Sequence, residues 1–578
     1  MGIAHEIFEI VEEKFIMKNF ICGIGKIQND FEYILSEIKV DGYFLAPGQV
    51  DLSGKTVMPF EKVSQYVDRD NIRIIVCDQN RDCVLQQLID MGFKRGKNVF
   101  LADDFFYILD YDYMKTADGR PIAIWGTGSG AQKILEVMEK DQVDIKNTVD
   151  FFVDNNPKQL ELNGIGVYTP KEIDILGHFV IVASDWYKEI RTQLLRCGLK
   201  ENIDFVDGYK INAQPSQMLY KTIYDTPLKD NHCMWPFEWA NIQTNGIYAC
   251  GWPSWLTTRI GSEFADELDD VWNSNIAKVI RLSMLNHTYS FCEKSTCPYL
   301  DINPQCDETF VFDRNIGYAK HTPESPKEVT MSFDDRCNLK CLSCRTEGCY
   351  HYSEELSETM ETVLERIKKS HWISNSENID IAGNGEIFFS EYYKKLIFDP
   401  DVQGKRIVIQ TNGTLIKKEY IEELIKKFSH IEFYISIDAA SSETFKKLRT
   451  GSWKQLIHGL EIISGYRKKN LIQRVRLSFV VQRDNYFEML DFIELAKHYG
   501  FDWIYFSRIQ NFAGWDDDLF WSKSMIRKDG TMEDELIEVF RNPLILDPIV
   551  DIRQFYRNLD ISGCGDLVTN RKETVFFE

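Results

Sequence analysis

The 578-residue chain is predicted to be an α/β protein in which helices cover parallel sheets. Apolar strand patterns alternate with amphipathic helix patterns through residues 1–215 and again through residues 327–511, which is typical of successive βαβ units. The first of these stretches also contains an internal repeat. Between the two stretches, residues 228–320 are rich in Trp, Cys and turn residues, so a domain of different character is expected there.

The composition is that of a large, folded protein that is not exported. Lys and Arg total 67 against 89 Asp and Glu, so the net charge is −22 and a nucleic-acid partner is disfavoured. Hydrophobic residues make up 44% of the chain, too many for a disordered protein. No apolar run approaches the ~18 residues of a membrane span, and the N-terminal sequence has no export signal. We therefore expect a cytoplasmic protein without membrane contact.

Residues 1–112 and 113–215 are predicted to be two copies of one unit. The segments NFICGIGKIQNDFEYIL and IAIWGTGSGAQKILEVM each contain an apolar strand, a glycine turn and a helical pattern, and their glycine turns are 103 positions apart. Similar strand and helix patterns follow in both copies. Strands that alternate with helices in this way form a parallel sheet with helices on its faces. Two tandem Rossmann-like units are therefore expected.

The second copy contains a candidate nucleotide-binding turn. Gly126 and Gly128 follow a strand directly, in a Gly-x-Gly-x-x-Ala pattern, and Asp154 ends the next strand. This pattern resembles the Rossmann fingerprint, in which glycines admit a pyrophosphate to a helix N-terminus and the acid binds a ribose hydroxyl. The first copy has Ala46 at the position of Asp154. A nucleotide at the second unit, and a purely structural role of both units as docking or oligomerisation scaffolds, both stay open.

Residues 327–511 are predicted to form a partial (βα)6 barrel of the TIM-like type. Amphipathic stretches separate six apolar runs that would form its strands, at 329–333, 379–382, 406–410, 432–437, 475–481 and 503–507. In such barrels chemistry gathers at the C-terminal ends of the strands, so functional residues are expected just after these runs. Residues 512–578 show helix and turn patterns and are expected to cap the barrel.

Nine of the 14 cysteines lie between Cys233 and Cys349, and in an unexported chain such clustering indicates metal ligation. Directly after the first barrel strand, Cys337, Cys341 and Cys344 have the spacing C-x3-C-x2-C. This spacing lets three thiolates of one loop reach a cubane iron–sulfur cluster and leaves one iron without a protein ligand. A zinc-binding loop is the weaker alternative, because structural zinc sites take four protein ligands.

With this motif the sequence resembles the radical S-adenosylmethionine (SAM) superfamily. The resemblance implies a [4Fe-4S] cluster whose open iron binds the amino and carboxylate groups of SAM. It further implies reductive cleavage of SAM to methionine and a 5'-deoxyadenosyl radical, which removes a hydrogen atom from the substrate. A reductant such as flavodoxin or ferredoxin is implied as a partner.

The same resemblance assigns cofactor contacts to residues at successive strand ends. They are Gly383, Gly385, Glu386, Asn412, Ser436 and Asp438, together with Arg449 in the segment FKKLRTGSW. By the resemblance, Glu386 would receive the methionine amino group and Arg449 would pair with the methionine carboxylate. Two positions depart from the family pattern: Asn384 replaces a glycine, and Ser343 replaces an aromatic residue that packs near adenine.

A second group of cysteines lies in residues 228–320. Its members are Cys233, Cys250, Cys292, Cys297 and Cys306. With the hairpin signal Asn245-Gly246, the group resembles the SPASM extension of the same superfamily, which implies one auxiliary [4Fe-4S] cluster. In most relatives this extension follows the barrel, whereas here it precedes the barrel. A zinc ribbon is the alternative.

The resemblance implies hydrogen abstraction but leaves the product open. An auxiliary cluster that takes an electron from a substrate radical would lead to oxidation or to a new carbon bond. A thiol that returns a hydrogen atom would lead to epimerisation, and Cys349 and Cys564 are the candidates for that thiol. The alternative for both cysteines is a buried small apolar residue.

Three functions are therefore considered. The leading hypothesis is a radical SAM/SPASM enzyme that oxidises or epimerises a carbohydrate or nucleotide-sugar substrate, because tandem nucleotide-fold units suit such conjugates. The alternative is a peptide-modifying maturase that forms a thioether or carbon crosslink, with the N-terminal units holding the precursor. The third is an iron–sulfur electron-transfer protein without radical chemistry, which the Gly385-Glu386 segment disfavours because such a protein would need no methionine clamp.

Overall fold

A computed structural model describes residues 18–34, 39–49, 56–65, 71–78, 80–102, 113–140, 142–184, 186–211, 233–251, 255–256, 258–262, 267–285, 289, 291–292, 297, 324–344, 354–381, 383–402, 405–511 and 513–564. The chain divides into two compact units: Met1–Glu238 with Asn245–Glu324, and Trp239–Thr244 with Ser325–Glu578. Two predicted site residues, Cys306 and Cys349, lie outside the described ranges. No helix in these ranges is long and apolar enough to cross a membrane.

The strands of both units are numbered here in chain order. They are β1 (Lys18–Cys22), β2 (Val40–Phe44), β3 (Val57–Met58), β4 (Ile72–Val76), β5 (Val99–Leu101), β6 (Ile122–Trp125), β7 (Val149–Val153), β8 (Glu161–Leu162), β9 (Ile165–Tyr168), β10 (Phe179–Val182), β11 (Phe205–Asp207), β12 (Trp239–Gln243), β13 (Gly246–Tyr248), β14 (Glu328–Ser332), β15 (Asn378–Ile381), β16 (Arg406–Thr411), β17 (His430–Ser436), β18 (Arg474–Val481), β19 (Trp503–Arg508) and β20 (Val550–Asp551).

Helices connect most of these strands. The α-helices span Lys26–Ile34, Arg81–Asp90, Tyr113–Ala117, Ser129–Lys140, Ile145–Thr148, Tyr187–Arg196, Trp235–Glu238, Leu268–Trp272, Asn275–Leu285, Glu354–Lys369, His371–Asn375, Glu391–Ile397, Lys418–Lys427, Ser442–Arg449, Trp453–Arg467, Met489–Tyr499, Asp517–Lys523, Asp534–Phe540 and Tyr556–Ile561. Short 3-10 helices span Phe60–Gln65, Gly208–Lys210, Tyr486–Glu488, Pro543–Leu546 and Arg553–Phe555.

The first unit contains two sheets whose parallel strands have the same order. One sheet has the order β3-β2-β1-β4-β5, and all its neighbouring strands are parallel. The other has the order β8-β9-β7-β6-β10-β11, in which only the edge strand β8 is antiparallel. The parallel strands thus correspond one to one, in the 3-2-1-4-5 order found in dinucleotide-binding sheets. This shared order agrees with the internal repeat in the sequence.

The glycine that follows the first strand of each repeat is required by a close backbone contact. A Cβ atom on Gly23 would lie 2.7 Å from the carbonyl oxygen of Cys77, and one on Gly126 would lie 2.5 Å from that of Ala183. Both glycines also have positive φ angles, +106° and +121° respectively. The packing of the turn against the neighbouring strand therefore explains why a glycine stands at this point in both copies.

The second unit is built on a sheet with the order β12-β14-β15-β16-β17-β18-β19-β20, in which every neighbouring pair is parallel. Strands β14 to β19 coincide with the six apolar runs of the sequence and alternate with helices. Alternate side chains of each strand point to opposite faces. One face is apolar and buried, with Ile379, Ile407, Ile431 and Leu477 among its residues. The opposite face carries the polar residues of each strand.

Strand β12 was not expected from the sequence to belong to this sheet. It lies inside residues 228–320, which the sequence assigns to the auxiliary domain, yet it pairs in parallel with β14. Ala240 lies opposite Val329 and Ile242 opposite Met331, and all four side chains are buried. The apolar face of the sheet thus continues across this strand, and burial of these side chains explains its pairing.

The C-terminal residues differ in part from the predicted helical cap. Helices form over Asp517–Lys523, Asp534–Phe540 and Tyr556–Ile561. Between the last two, β20 pairs with β19, and Val550 lies opposite Ile504. This segment therefore also extends the edge of the sheet.

Candidate active site

A buried ion pair holds the loop that follows β14. The carboxylate of Asp334 is buried and accepts hydrogen bonds from the guanidinium of Arg336 (Nη2–Oδ2, 2.8 Å) and from the hydroxyl of Ser390. Burial alone would raise the pKa of Asp334, but these hydrogen bonds outweigh it and hold the pKa below its usual range. Arg336 also stacks on Tyr392, with Cζ 4.5 Å from the ring centroid. These contacts fix the backbone directly before Cys337.

Two of the three motif thiols accept hydrogen bonds from nitrogen. The sulfur of Cys337 accepts from a backbone N–H of its own loop (3.4 Å) and from Nδ2 of Asn412 (3.8 Å). The sulfur of Cys341 accepts from Nη1 of Arg449 (3.6 Å). Burial raises the pKa of Cys341, whereas the charge of Arg449 lowers it. Cys344 is exposed. N–H donors of this kind stabilise thiolate ligands, so the loop is prepared for metal binding.

The chemistry of the three thiols fits an iron–sulfur cluster. A structural zinc site takes four protein ligands, and this loop offers three thiols. A cubane cluster bound by three thiolates keeps one iron open. The three thiols and their N–H donors therefore suit such a cluster.

The segment 383–386 packs directly against the cysteine loop. A Cβ atom on Gly385 would lie 2.5 Å from the carbonyl oxygens of both Asp334 and Arg336, so only glycine fits there. The N–H of Glu386 donates to the Arg336 carbonyl at 2.9 Å. Gly383, with φ of +108°, begins this segment after β15. The two segments that the family resemblance assigns to cluster and cofactor are thus in contact.

The carboxylate of Glu386 is buried and binds the end of the next strand. It accepts hydrogen bonds from Oγ1 of Thr411 (2.6 Å) and from the backbone N–H groups of Asn412 (2.7 Å) and Phe388 (3.3 Å). Its exposure is 1%. Burial raises the pKa of Glu386, and these donors oppose the rise. Glu386 therefore orders the ends of β15 and β16, a role that the motif alone does not reveal.

Arg449 joins the cysteine loop to the end of β17. Its Nη2 lies 2.7 Å from Oδ2 of Asp438, while its Nη1 contacts Cys341. Asp438 is buried, has a left-handed φ of 62°, and accepts a hydrogen bond from the N–H of Val480 (2.7 Å). Burial raises the pKa of Asp438, whereas the charge of Arg449 lowers it. The Nε atom of Arg449 is buried and has no hydrogen-bond partner among the described residues.

Asn384, which departs from the family pattern, has a structural role. Its Nδ2 donates to Oε1 of Gln243 (2.7 Å), to the carbonyl of Ser332 (3.2 Å) and to Oγ1 of Thr244 (3.5 Å). Gln243 is the last residue of β12. The amide that replaces a glycine therefore ties β12 to the segment that contains Glu386.

Three of the five auxiliary cysteines act on the pKa of one tyrosine. Burial raises the pKa of Tyr289, and the charges of Cys233, Cys292 and Cys297 raise it further. Burial also raises the pKa of Cys233 to about 12. Cys250 is buried as well. Three predicted ligands therefore lie within electrostatic range of Tyr289 in the first unit.

Of the two candidate hydrogen donors, the structure describes one. Cys564 is 8% exposed, and its sulfur lies 4.0 Å from the carbonyl oxygen of Ser562. Its burial agrees with the alternative interpretation as a small apolar residue. Cys349 lies outside the described residues.

The candidate nucleotide turn is bonded within itself. Oδ2 of Asp154 accepts a hydrogen bond from Oγ1 of Thr127 (2.5 Å), and Oδ1 accepts from the N–H of Asn156 (2.9 Å). A Cβ atom on Gly128 would meet no atom within 4 Å, whereas Gly126 is closely packed. Asp154 therefore stabilises its own turn, and Gly128 is the glycine without a packing requirement.

Two family descriptions match parts of the chain. The radical SAM superfamily matches residues 331–496, and the family described as C2185-like, N-terminal, matches residues 119–203. The first match covers β14 to the helix Met489–Tyr499, and with it the cysteine loop and the strand ends described above. The second lies within the predicted second Rossmann-like copy.

Several curated proteins are similar to part of this chain. The antilisterial bacteriocin subtilosin biosynthesis protein AlbA of Bacillus subtilis (strain 168) is 28% identical over 190 residues, 31% of this chain and 40% of AlbA. An AdoMet-dependent heme synthase of Methanosarcina barkeri is 26% identical over 187 residues, 30% of this chain and 48% of the relative. A GTP 3',8-cyclase of Marinobacter nauticus is 25% identical over 199 residues, which are 34% of this chain and 54% of the cyclase. The chain thus spans about half the length of these relatives.

Solved structures resemble a third of the chain. SuiB of Streptococcus suis, bound to precursor peptide SuiA, is 18% identical with a TM-score of 0.26, over 32% of this chain and 40% of SuiB. TYW1 with a lysine-pyruvate adduct bound is 17% identical with a TM-score of 0.24, over 37% of this chain and 70% of TYW1. The family match, rather than these distant likenesses, confirms the resemblance drawn from the cysteine spacing. Residues 331–496 of the chain therefore form a radical SAM domain.

Proposed function

We propose that the protein binds a [4Fe-4S] cluster through Cys337, Cys341 and Cys344 and uses SAM to remove a hydrogen atom from a polar substrate. The observation that supports this most strongly is the contact between the cysteine loop and the segment 383–386, with Arg449 reaching a motif thiol. When bound, the cluster and SAM supply a 5'-deoxyadenosyl radical. An electron carrier would need neither this segment nor the uncommitted Nε of Arg449.

The residues of the chain prepare this site in distinct ways. Asn412 and Arg449 donate hydrogen bonds to the sulfurs of Cys337 and Cys341, which stabilises negative charge on both. Glu386 holds the backbone of Asn412 and thereby fixes that donor. The Nε of Arg449 is positioned to receive the carboxylate of the methionine moiety, the contact that the sequence resemblance assigns to this arginine. Gly383, Gly385, Ser436 and Asp438 complete the proposed cofactor contacts.

We further propose that the polar face of the second unit is concave and holds the substrate. The charge of Arg476 on β18 acts on the pKa of Asp380 on β15, although β16 and β17 lie between them. Adjacent strands are about 4.8 Å apart, so a flat sheet would separate these strands by about 14 Å. Curvature towards the polar face, as in a partial barrel, brings the two charges closer.

The substrate proposed is a carbohydrate or nucleotide sugar, which the enzyme would oxidise or epimerise. Small polar side chains follow one another on the proposed concave face, with Ser436 opposite Ser478 and Ser507 on the next strand. Hydroxyl-rich substrates need such hydrogen-bonding partners. Peptide modification is the second candidate, because the relative AlbA is named for bacteriocin biosynthesis.

The proposal includes one auxiliary [4Fe-4S] cluster in a SPASM-like domain. The position of Cys233, Cys292 and Cys297 within electrostatic range of Tyr289 supports it. Cys250 and Cys306 are the further ligands proposed from the sequence. A flavodoxin or ferredoxin would deliver the electron.

The first test asks whether the protein cleaves SAM. Reconstituted protein is incubated without oxygen with dithionite and SAM, and 5'-deoxyadenosine is quantified by mass spectrometry. We expect the nucleoside from the wild type and none from Cys337→Ala. Cys197→Ala, which removes an exposed cysteine of the first unit, is the matched control and should retain full activity. Undiminished nucleoside release by Cys337→Ala would show that the cluster assignment is wrong.

The second test separates the substrate classes. UDP-glucose, as a representative nucleotide sugar, is added in heavy water, and nucleoside yield and deuterium incorporation are measured. Stimulated nucleoside release with deuterium in the sugar indicates epimerisation, and stimulation without deuterium indicates oxidation. If only a peptide encoded beside the gene stimulates release, peptide modification replaces the sugar hypothesis.

A further inference from the structure

The polar face of the second unit carries an arginine that forms no ion pair with any described carboxylate. Arg476, in the middle of β18, has its Cζ 3.7 Å from the ring centroid of Tyr434 and 5.4 Å from those of Trp503 and Tyr505. Its Nε is buried and lacks a hydrogen-bond partner, and among the described residues no carboxylate forms an ion pair with it. Burial lowers the pKa of Arg476, and the nearby acids and tyrosines only oppose this.

A carboxylate on the same face is also incompletely bonded. Oδ1 of Asp380 is buried without a hydrogen-bond partner among the described residues. Burial raises the pKa of Asp380 to about 7, and the charge of Arg476 opposes the rise. The charges of Asp380 and Arg476 therefore act on each other's pKa, although the two side chains do not form an ion pair. Buried polar atoms are normally satisfied, so two unsatisfied atoms on one face require an explanation.

Two arginines of the second unit illustrate the usual arrangement. Arg406 binds Glu432 through Nη2 at 2.8 Å, and Arg553 binds Asp551 through Nη2 at 2.7 Å. Arg476 differs from both because its close contacts among the described residues are to aromatic rings. Guanidinium groups held flat against aromatic rings keep their edge N–H donors free for carboxylate or phosphate.

Towards the C-terminal ends of the strands, the side chains beyond Arg476 become small. Ser478 follows Arg476 on the same face of β18 and lies opposite Ser436, one of the residues assigned to the cofactor site. A ligand at the cluster end of the sheet therefore meets hydroxyl groups first and Arg476 below them. Arg476 therefore lies farther from the C-terminal ends of the strands than the residues proposed to contact the cluster and SAM.

We propose that Arg476 binds an oxyanion of the substrate, a phosphate or a carboxylate, while Tyr434 holds the guanidinium flat and Asp380 accepts a hydrogen bond from a neighbouring substrate hydroxyl. This inference rests on the proposed function, because it places the anionic end of the substrate at the base of the proposed concave face and the reacting carbon nearer the cluster. It selects phosphorylated or acidic substrates over neutral sugars.

The test measures anion binding separately from radical chemistry. Binding of inorganic pyrophosphate and of succinate to the SAM-loaded holoenzyme is measured by anaerobic calorimetry. We expect at least one of the two to bind, and Arg476→Gln to weaken that binding at least tenfold. Arg474→Gln removes the same charge two residues earlier on the same strand and should change binding less than twofold. Preference for pyrophosphate indicates phosphate, and preference for succinate indicates carboxylate.

The controls keep this inference distinct from the proposed function. Arg476→Gln should retain substrate-free release of 5'-deoxyadenosine within twofold, because it does not touch the cluster loop. If Arg476→Gln fails to fold, Arg476→Lys takes its place and should weaken binding, since lysine keeps the charge but loses the planar fork. Unchanged binding in these variants, or binding of neither anion to the wild type, would overturn the anion site. If the wild type itself releases no 5'-deoxyadenosine, the proposed function is wrong.

Discussion

Removal of Arg449 should destabilise the second unit because it leaves a buried carboxylate without its partner. The side chains of Arg449 and Asp438 are 13% and 4% exposed and are joined at 2.7 Å. Breaking a buried ion pair by removing one member typically costs about 3–5 kcal/mol. For a domain of about 250 residues, each kcal/mol lowers the melting temperature by roughly 2–4 °C. Arg449→Met should therefore lower the melting temperature of this unit by roughly 6–20 °C.

The second substitution tests the cause of this loss. In the double variant Arg449→Met, Asp438→Asn, the buried charge is absent and the asparagine still accepts the hydrogen bond from Val480. We expect the double variant to recover at least about 2 kcal/mol of the loss, which is within the range of coupling between residues in contact. Anaerobic calorimetry of the reconstituted protein with SAM measures all four members of the cycle.

A matched control tests whether the loss of stability comes from burial of the ion pair and not simply from removal of an ion pair. Arg467 and Asp502 are joined at 2.5 Å, but their side chains are 24% and 27% exposed. Because more exposed pairs contribute only about 0–1 kcal/mol, Arg467→Met should lower the melting temperature by a few degrees at most. If Arg449→Met is no worse than this control, or if the double variant equals the sum of the single changes, the buried pair does not stabilise the site as argued.

Three further predictions follow from other contacts. The pKa of Asp380 is raised to about 7, so its ionisation lowers the free energy of unfolding as pH rises from about 4 to 7. Relative to the wild type, Asp380→Asn should therefore be about 3 kcal/mol more stable at pH 8 than it is at pH 5, as measured by denaturant titration. An equal difference at both pH values would contradict this. Asn384→Gly should loosen the hold on Gln243 and raise the KM for SAM severalfold without changing cluster content by iron analysis, whereas unaltered kinetics would exclude this role. Gly126→Ala should lower the melting temperature of the first unit because its Cβ would lie 2.5 Å from a carbonyl oxygen, while Gly128→Ala should not; equal effects would refute the packing argument.

Much of the second unit could be predicted because its strands are continuous apolar runs between amphipathic helices. The pairing of β12 with β14 was missed, although a hairpin was predicted at Asn245-Gly246, which directly follows this strand. The segment WANIQ has only two apolar core side chains, Ala240 and Ile242, so its alternation is short and does not indicate which sheet it joins. β20 was missed for the same reason, being two residues long.

The motif residues of the site could be identified from their spacing, but the residues that support them could not. Asp334 and Arg336 precede the first cysteine as DDRC, and two acids after a strand were the only signal that they carried. The hydrogen bond that Asp334 accepts from Ser390 joins residues 56 positions apart, which no local pattern reveals. Likewise, Glu386 was predicted from its motif, but its bond to Thr411 becomes visible only when β15 and β16 lie side by side.

Two strands from outside the radical SAM match extend the sheet of the second unit. β12 precedes the matched residues and pairs with β14, and β20 follows them and pairs with β19. In both added strands apolar side chains are buried beside those of the neighbouring strand, as Ile242 is opposite Met331 and Val550 is opposite Ile504. Because burial of apolar surface stabilises such pairings, neither strand needs a family motif of its own to join the sheet. Asn384 then donates a hydrogen bond to Gln243 at the end of β12, so a strand outside the matched residues helps to hold the proposed cofactor segment.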